Sequence, residues 1–324
     1  MKKFFNNINN KTKSNAYTEN KLIEQPAIKL FQDLGYDYIN AFNEDYGNNS
    51  LLGREERDEV VLLQRLKPSL VRLNPNLSDE VISLAIEELI RDRSTISLVS
   101  ANREIYKLIK EGVKVNVPNK RGELEVVTVR LIDFDNPENN DYLLVSQFWV
   151  SGDVYTRRAD LVGFINGIPL MFIELKGIHK NLEDAYRKNL SDYKNTIPEL
   201  FWYNAFVILS NGLDSKIGTI TARFEHFNEW KKINDEGEQG IVSLDRTIKG
   251  TCEKKRIMDI IENFILFEER QGEIRKLIAK YHQYLGVNNV IQAFKDIEQK
   301  KGSLATEASA QPGLGVFWHT QGSG

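Results

Sequence analysis

Cysteine is almost absent from this chain: Cys252 stands alone among 324 residues. That excludes an intramolecular disulfide and any cysteine-rich zinc site, and it suits a reducing cytosol. Long apolar runs are missing too, and none approaches the roughly 20 residues of a membrane span. The opening MKKFFNNINNKTKSN carries basic residues but no apolar stretch, so it does not read as a secretory signal. Positive charge is not in excess either. The 43 Lys and Arg against 46 Asp and Glu leave a net charge of −3, which excludes a chain that coats nucleic acid through bulk charge. Any such contact must be local. The histidines, His179, His226, His282 and His319, are scattered without metal-ligand spacing. What is present, 41% hydrophobic and 27% charged residues, is ordinary globular composition, with length for one large domain or two modest ones.

Residues 1–16, rich in Asn and Lys, read as a disordered start. The stretch TENKLIEQPAIKLFQDLGY reads as a helix with Thr18 as cap, Leu22, Ile23, Ala27, Leu30, Phe31 and Leu34 inward, and Gly35 as its stop. Pro26 either kinks it or marks the first turn of a shorter helix. A second amphipathic helix, SDEVISLAIEELIRDR, is capped by Ser78 and carries Val81, Ile82, Ala85, Ile86, Leu89 and Ile90 on its apolar side. From Val113 the period shortens: VKVNV, LEVVTVRLIDF and YLLVSQFWV are β-rich runs between turn clusters. ADLVGFI, Asn166-Gly167 and IPLMFIELK make a hairpin signal. A polar helix (EDAYRKNLSDYKN) and the strand NAFVILSNG follow, then helices over RIMDIIENFILFEE and KLIAKYHQYLGVNNVIQAFKDIEQK. Strands interleaved with helices predict an α/β class. No internal repeat is visible.

The segment richest in chemistry is YTRRADLVGFINGIPLMFIELK. On a strand, residues two apart share a face, so Glu174 and Lys176 project together and Leu175 points the other way. Charges ending an apolar strand need a partner or a ligand. The preceding strand brings Asp160 back beside Glu174, provided the register is right. A two-residue turn at Asn166-Gly167 pairs Ile165 with Ile168 and leaves the Asp160 carboxylate on the wrong side. A three-residue loop with Gly167 in a G1 bulge pairs Phe164 with Ile168 and puts Asp160 diagonal to Glu174; this is the register expected. Two carboxylates and a lysine then suit Mg²⁺, which takes oxygen ligands and keeps several waters. On spacing alone, an ordinary surface Glu-x-Lys beside an unrelated Asp is the simpler reading.

These residues resemble the PD-(D/E)xK nuclease motif. With ENKLIEQPAIKLFQDLGY, NPENNDYLLVSQFWV, LFWYNAFVILSNG and GVFWHTQGSG around them, the chain from Tyr17 onward resembles the N-terminal region of the R (motor and restriction) subunit of type I restriction-modification enzymes. The resemblance implies a restriction-endonuclease-like core over 17–260, a mixed central sheet flanked by helices. A helical linker and the start of a RecA-like helicase domain would follow over 261–324. It implies an Mg²⁺-dependent DNA endonuclease with Asp160 and Glu174 as metal acids, the Leu175 carbonyl as a further ligand, and Lys176 as catalytic lysine. Glu24 matches the first-helix acid, with Glu19 as rival. Ala159 stands where the motif's name has proline. Asn189 and Tyr193 match a Gln-x-x-x-Y signature on the next helix, with the shorter amide. Double-stranded DNA, the modification and specificity subunits, and a prokaryotic cytoplasm complete the implied setting.

HTQGSG resembles the start of helicase motif I, so Gly322, Ser323 and Gly324 would face ATP phosphates, and Gln283 in YHQY resembles a glutamine that recognises adenine. Motif I stops short of its lysine, so the ATPase expectation belongs to a longer protein. Arg157 and Arg158 are candidate contacts to DNA phosphate. Lys180, Arg187, Lys188 and Lys194 interleave with Glu183, Asp184 and Asp192 and form no basic stripe. Trp149, Phe201, Trp202 and Tyr203 read as core. The non-enzymatic alternative is a catalytically silent nuclease-like module that clamps DNA or docks subunits.

Overall fold

The structure, a computed structural model, describes residues 23–118, 122–234 and 243–303. The expected disordered start, Thr18, Glu19 and the motif I glycines lie outside the described residues. Residues 23–33 form helix α1, which buries Ile23, Ala27, Ile28 and Phe31. Strand β1 (Asp37–Asn40) follows, then α2 (Leu63–Leu73), α3 (Asp79–Ile90) and α4 (Leu98–Glu111). Ser78 caps α3 by accepting the Val81 N–H, as its position before an apolar run requires. Ile90, expected inward, is exposed at the helix end. Strands β2 (Val113–Pro118) and β3 (Leu124–Val129) pair as a separate antiparallel ribbon.

The core sheet uses β4 (Tyr142–Ser151), β5 (Thr156–Ile165), β6 (Ile168–Leu175), β7 (Phe206–Ser210) and β8 (Ser215–Gly218) in the order β1-β4-β5-β6-β7-β8. The β1/β4 and β6/β7 pairs are parallel and the others antiparallel, so the sheet is mixed. All eight residues of β6 are buried, as expected of a central strand covered on both faces. Between β6 and β7 the chain is helical in sequence through α5 (Leu182–Asp184), a π-helical stretch (Ala185–Leu190), α6 (Ser191–Thr196) and α7 (Pro198–Trp202). Phe172 of β6 meets Tyr193 and Phe201 edge-on or tilted, with ring centroids 5.6 and 5.0 Å apart, which seats this layer on the sheet.

After α8 (Ser243–Cys252) and α9 (Lys254–Asn263) comes a correction. The end of one expected helix (through Glu269) and the start of the next (from Lys276) instead belong to a hairpin, β9 (Ile265–Arg270) and β10 (Glu273–Ile278), and α10 begins only at Tyr281 (Tyr281–Ser303). Tertiary packing is the reason. Lys276 is buried and donates to Asn102 Oδ1 at 2.9 Å and Asn204 O at 2.5 Å, with its ammonium over the Tyr106 ring. A buried ammonium needs such partners, and only the extended hairpin places it there. Among the described residues no helix is long and apolar enough to cross a membrane.

Candidate active site

The hairpin that carries the acids closes with a two-residue turn, not the expected three-residue loop. Asn166 and Gly167 both have positive φ, 51° and 78°, and Ile165 pairs with Ile168, the type I′ pattern. The turn is locked from outside. Asn166 is buried, donates to Leu131 O and Asn140 Oδ1 at 2.9 Å each, and accepts the Asp141 N–H at 2.7 Å. A Cβ on Gly167 would lie 2.5 Å from the Leu62 carbonyl. That register alone would put Asp160 on the wrong face. The register shifts beyond Phe164, however: Gly163 pairs with Met171 and Leu161 with Ile173. Leu170 is the extra residue, and its carbonyl accepts the Ala205 N–H at 2.7 Å. The bulge moves Asp160 directly opposite Glu174, on one face, rather than diagonal to it.

Asp160, Glu174, Leu175 and Lys176 therefore come together at the end of β5 and β6. Asp160 Oδ2 accepts the Leu175 N–H at 2.9 Å. Glu174, 1% exposed, receives the Lys176 ammonium on Oε1 at 2.7 Å. Its other oxygen, Oε2, is buried with no hydrogen-bond partner. Burial, then the Asp160 charge, pushes the Glu174 carboxyl up to about 8, and Lys176 only partly offsets this. Asp160 is also raised, by burial first, with the Leu175 N–H, Lys176 and Arg158 acting against it. Two buried carboxyls with raised proton affinity, one of them raised further by the other's charge, around a buried orphan oxygen suit a cation. Among the described residues no group of three or more His, Cys, Asp or Glu side chains converges as a metal site. Two acids, a carbonyl and water nonetheless fit Mg²⁺, which retains much of its hydration.

The other candidates fall at different distances from this centre. Tyr193 donates to the Arg158 carbonyl at 3.0 Å. Its hydroxyl is pushed up by burial and by the Glu174 and Asp160 charges, and a hydrogen bond with Asn189 works the other way. The two thus meet although Asn189 lies in the π-helical stretch. Arg157 is neutralised by a two-pronged contact with Asp192 at 2.5 and 3.1 Å. Arg158 lies over Phe42 and Trp149, 5.0 and 5.2 Å from the ring centroids. Trp149 is correspondingly half-buried, unlike the buried Phe201, Trp202 and Tyr203. Glu24 on α1 is buried and accepts from Gln147 Nε2 at 3.0 Å. Gln283 is far along the chain at the start of α10, where its Oε1 accepts the Lys280 N–H at 2.8 Å. Gln147 is a site neighbour that sequence reasoning missed; the available signal was a long amide inside the apolar run YLLVSQFWV.

Comparison with known proteins identifies the family. The chain is 31% identical over 93% of its length to the type I restriction enzyme HindI endonuclease subunit of Haemophilus influenzae, of which the match covers 28%. A Methanocaldococcus jannaschii protein, provisionally named the type I restriction enzyme MjaIXP endonuclease subunit, is 27% identical over 98% of the chain and 31% of its own length. The type I restriction enzyme SsaAORF53P endonuclease subunit of Staphylococcus saprophyticus is 26% identical over 64% of the chain and 20% of its own length. The chain thus spans less than a third of these relatives. The family model for the type I restriction enzyme R protein N terminus matches residues 16–226, and the chain belongs to that family.

Proposed function

We propose that this chain is the nuclease region of a type I restriction enzyme R subunit, hydrolysing DNA phosphodiesters with Mg²⁺. The observation that carries the reading is Glu174 Oε2, a buried carboxylate oxygen without a partner, in a side chain that feels the Asp160 charge and takes the Lys176 ammonium on its other oxygen. Asp160, Glu174 and the Leu175 carbonyl would hold Mg²⁺, which supplies Lewis-acid polarisation of phosphate and a lowered water pKa. Asp160, bonded to the Leu175 N–H, keeps its carboxylate at that peptide. Lys176 offsets negative charge and orients the attacking water from beside Glu174. Tyr193 steadies β5 through the Arg158 carbonyl, and Arg158 offers its guanidinium to the DNA backbone. Glu24 serves as an outer acid.

The longer protein would add ATP-driven translocation by a RecA-like motor beginning within 261–324, with Gln283 and Gly322-Ser323-Gly324 contributing to its nucleotide site. It would work with modification and specificity subunits in a prokaryotic cytoplasm. The nuclease reading is tested by calorimetric titration of Mn²⁺ or Mg²⁺ into the chain. Asp160→Ala and Glu174→Ala should each weaken binding by more than about tenfold, since even outer-shell partners are worth that much. In the assembled full-length enzyme, Lys176→Ala should abolish cleavage and leave translocation intact. Unchanged metal affinity would leave the hairpin a docking module.

A further inference from the structure

Gln147 is the one described non-glycine residue whose backbone is left-handed without a turn to explain it. Its φ is 58° inside β4, whereas Asn166 and Gln271, at 51° each, both precede a glycine in a hairpin turn. The ladder does not slip around it: Ser146 pairs with Leu161 and Phe148 with Ala159. Gln147 therefore stands opposite Asp160. A left-handed conformation costs free energy for any residue with a Cβ, and such strain persists where the surroundings impose it, commonly at working sites. Here the bent backbone goes with one long-range contact, from Nε2 to Glu24 Oε2 across 123 positions of sequence, at 3.0 Å.

We propose that Gln147 is a positioning residue, holding the Glu24 carboxylate in register with Asp160 so that α1 and β5 present their acids to one hydrated cation. The inference rests on the metal-dependent nuclease reading above. Glu24 does not join Asp160 and Glu174 in a direct three-acid cluster, so its influence runs through an amide that faces it and a backbone that faces Asp160.

Gln147→Gly separates the two roles, because glycine adopts positive φ without strain and lacks the amide. The metal-free variant should lose little in unfolding temperature, because relief of the left-handed strain offsets the lost amide bond to Glu24. Its Mn²⁺ affinity in calorimetry should nonetheless fall about tenfold. Glu24→Ala should cause a similar loss, and the double variant should be no worse than either single one, because coupled residues are not additive. A lower Tm with intact Mn²⁺ affinity, or fully additive losses, would overturn the inference while leaving the metal site standing. Mn²⁺ binding that ignores Asp160→Ala would instead remove the metal site, and this role with it.

Discussion

Two ion pairs with buried carboxylates are built to opposite ends in this molecule. Arg54 and Glu44 are both buried. Arg54 Nη1 donates to the carbonyls of Glu59 and Trp149 at 3.1 and 3.0 Å, and Nε and Nη2 go to the two oxygens of Glu44. Ser50 adds a bond to Glu44 Oε1 at 2.9 Å, and the guanidinium sits 4.2 Å from the Phe148 centroid. Every demand of that pair is met by the protein. Glu174 and Lys176 share a single bond, and Glu174 Oε2 is left over. A buried pair usually returns its desolvation cost only when the remaining lone pairs are satisfied. The first pair is a finished joint for the loop before α2. The second leaves one carboxylate oxygen for the proposed metal to take.

The largest effect that tests this contrast is on folding. Arg54→Ala strands Glu44 in the core and should cost about 3–5 kcal/mol of stability in denaturant unfolding. Glu174→Gln removes a charge that the fold does not fully compensate, and should leave metal-free stability at pH 8 unchanged or raised. Equal losses in the two variants would break the contrast.

The next effect is its pH dependence. Glu174 titrates near 8 in the folded chain against an ordinary 4.5. Between those values the folded state holds a proton that the unfolded state has released. Stability therefore falls as pH rises through that window, by up to about 1.4 kcal/mol per unit from this group. The raised Asp160 carboxyl adds a slope of the same sign. Glu174→Gln should flatten the metal-free profile between pH 5 and 8, and Mg²⁺ should flatten it in the unmodified chain by displacing protons. A profile already flat without metal would mean that Glu174 is solvated.

How much of this was legible beforehand depends on how local each cause is. The Ser78 cap and the inward face of α3 are decided within a few residues, and the sequence pattern shows them. The Asn166-Gly167 hairpin is equally local, as is the Asp160, Glu174, Lys176 grouping. Its register is not. The bulge at Leu170 depends on the Ala205 N–H, and the tight turn depends on Leu62 and on carbonyl and amide groups around Asn140. The sequence pattern leaves α2 and α4 unassigned and extends helix over Ile265–Glu269 and Lys276–Ile278 of the β9–β10 hairpin, because the burial of Lys276 beneath α4 has no signature in its own segment. Gln147 was hidden for a similar reason: its meaning lies in a backbone angle and in a partner on α1.

The smallest expected effect separates two neighbouring arginines, and it extends the same contrast to the surface. Arg157 is already answered by Asp192, so it has little charge left for a phosphate. Arg158, half-buried, holds its guanidinium over the rings of Phe42 and Trp149, and its charge acts on Asp160. Trp149 also meets Arg57, whose guanidinium is 5.6 Å from its centroid. Stacking fixes a guanidinium without neutralising it. In DNA binding measured from low salt upward, Arg158→Ala should lower affinity and reduce the salt slope by about 1. Arg157→Ala should leave that slope unchanged and only loosen α6 from β5, seen as a small drop in Tm, because exposed pairs contribute little. The reverse assignment of the two slopes would show that charge pairing in the free chain does not predict which arginine meets DNA.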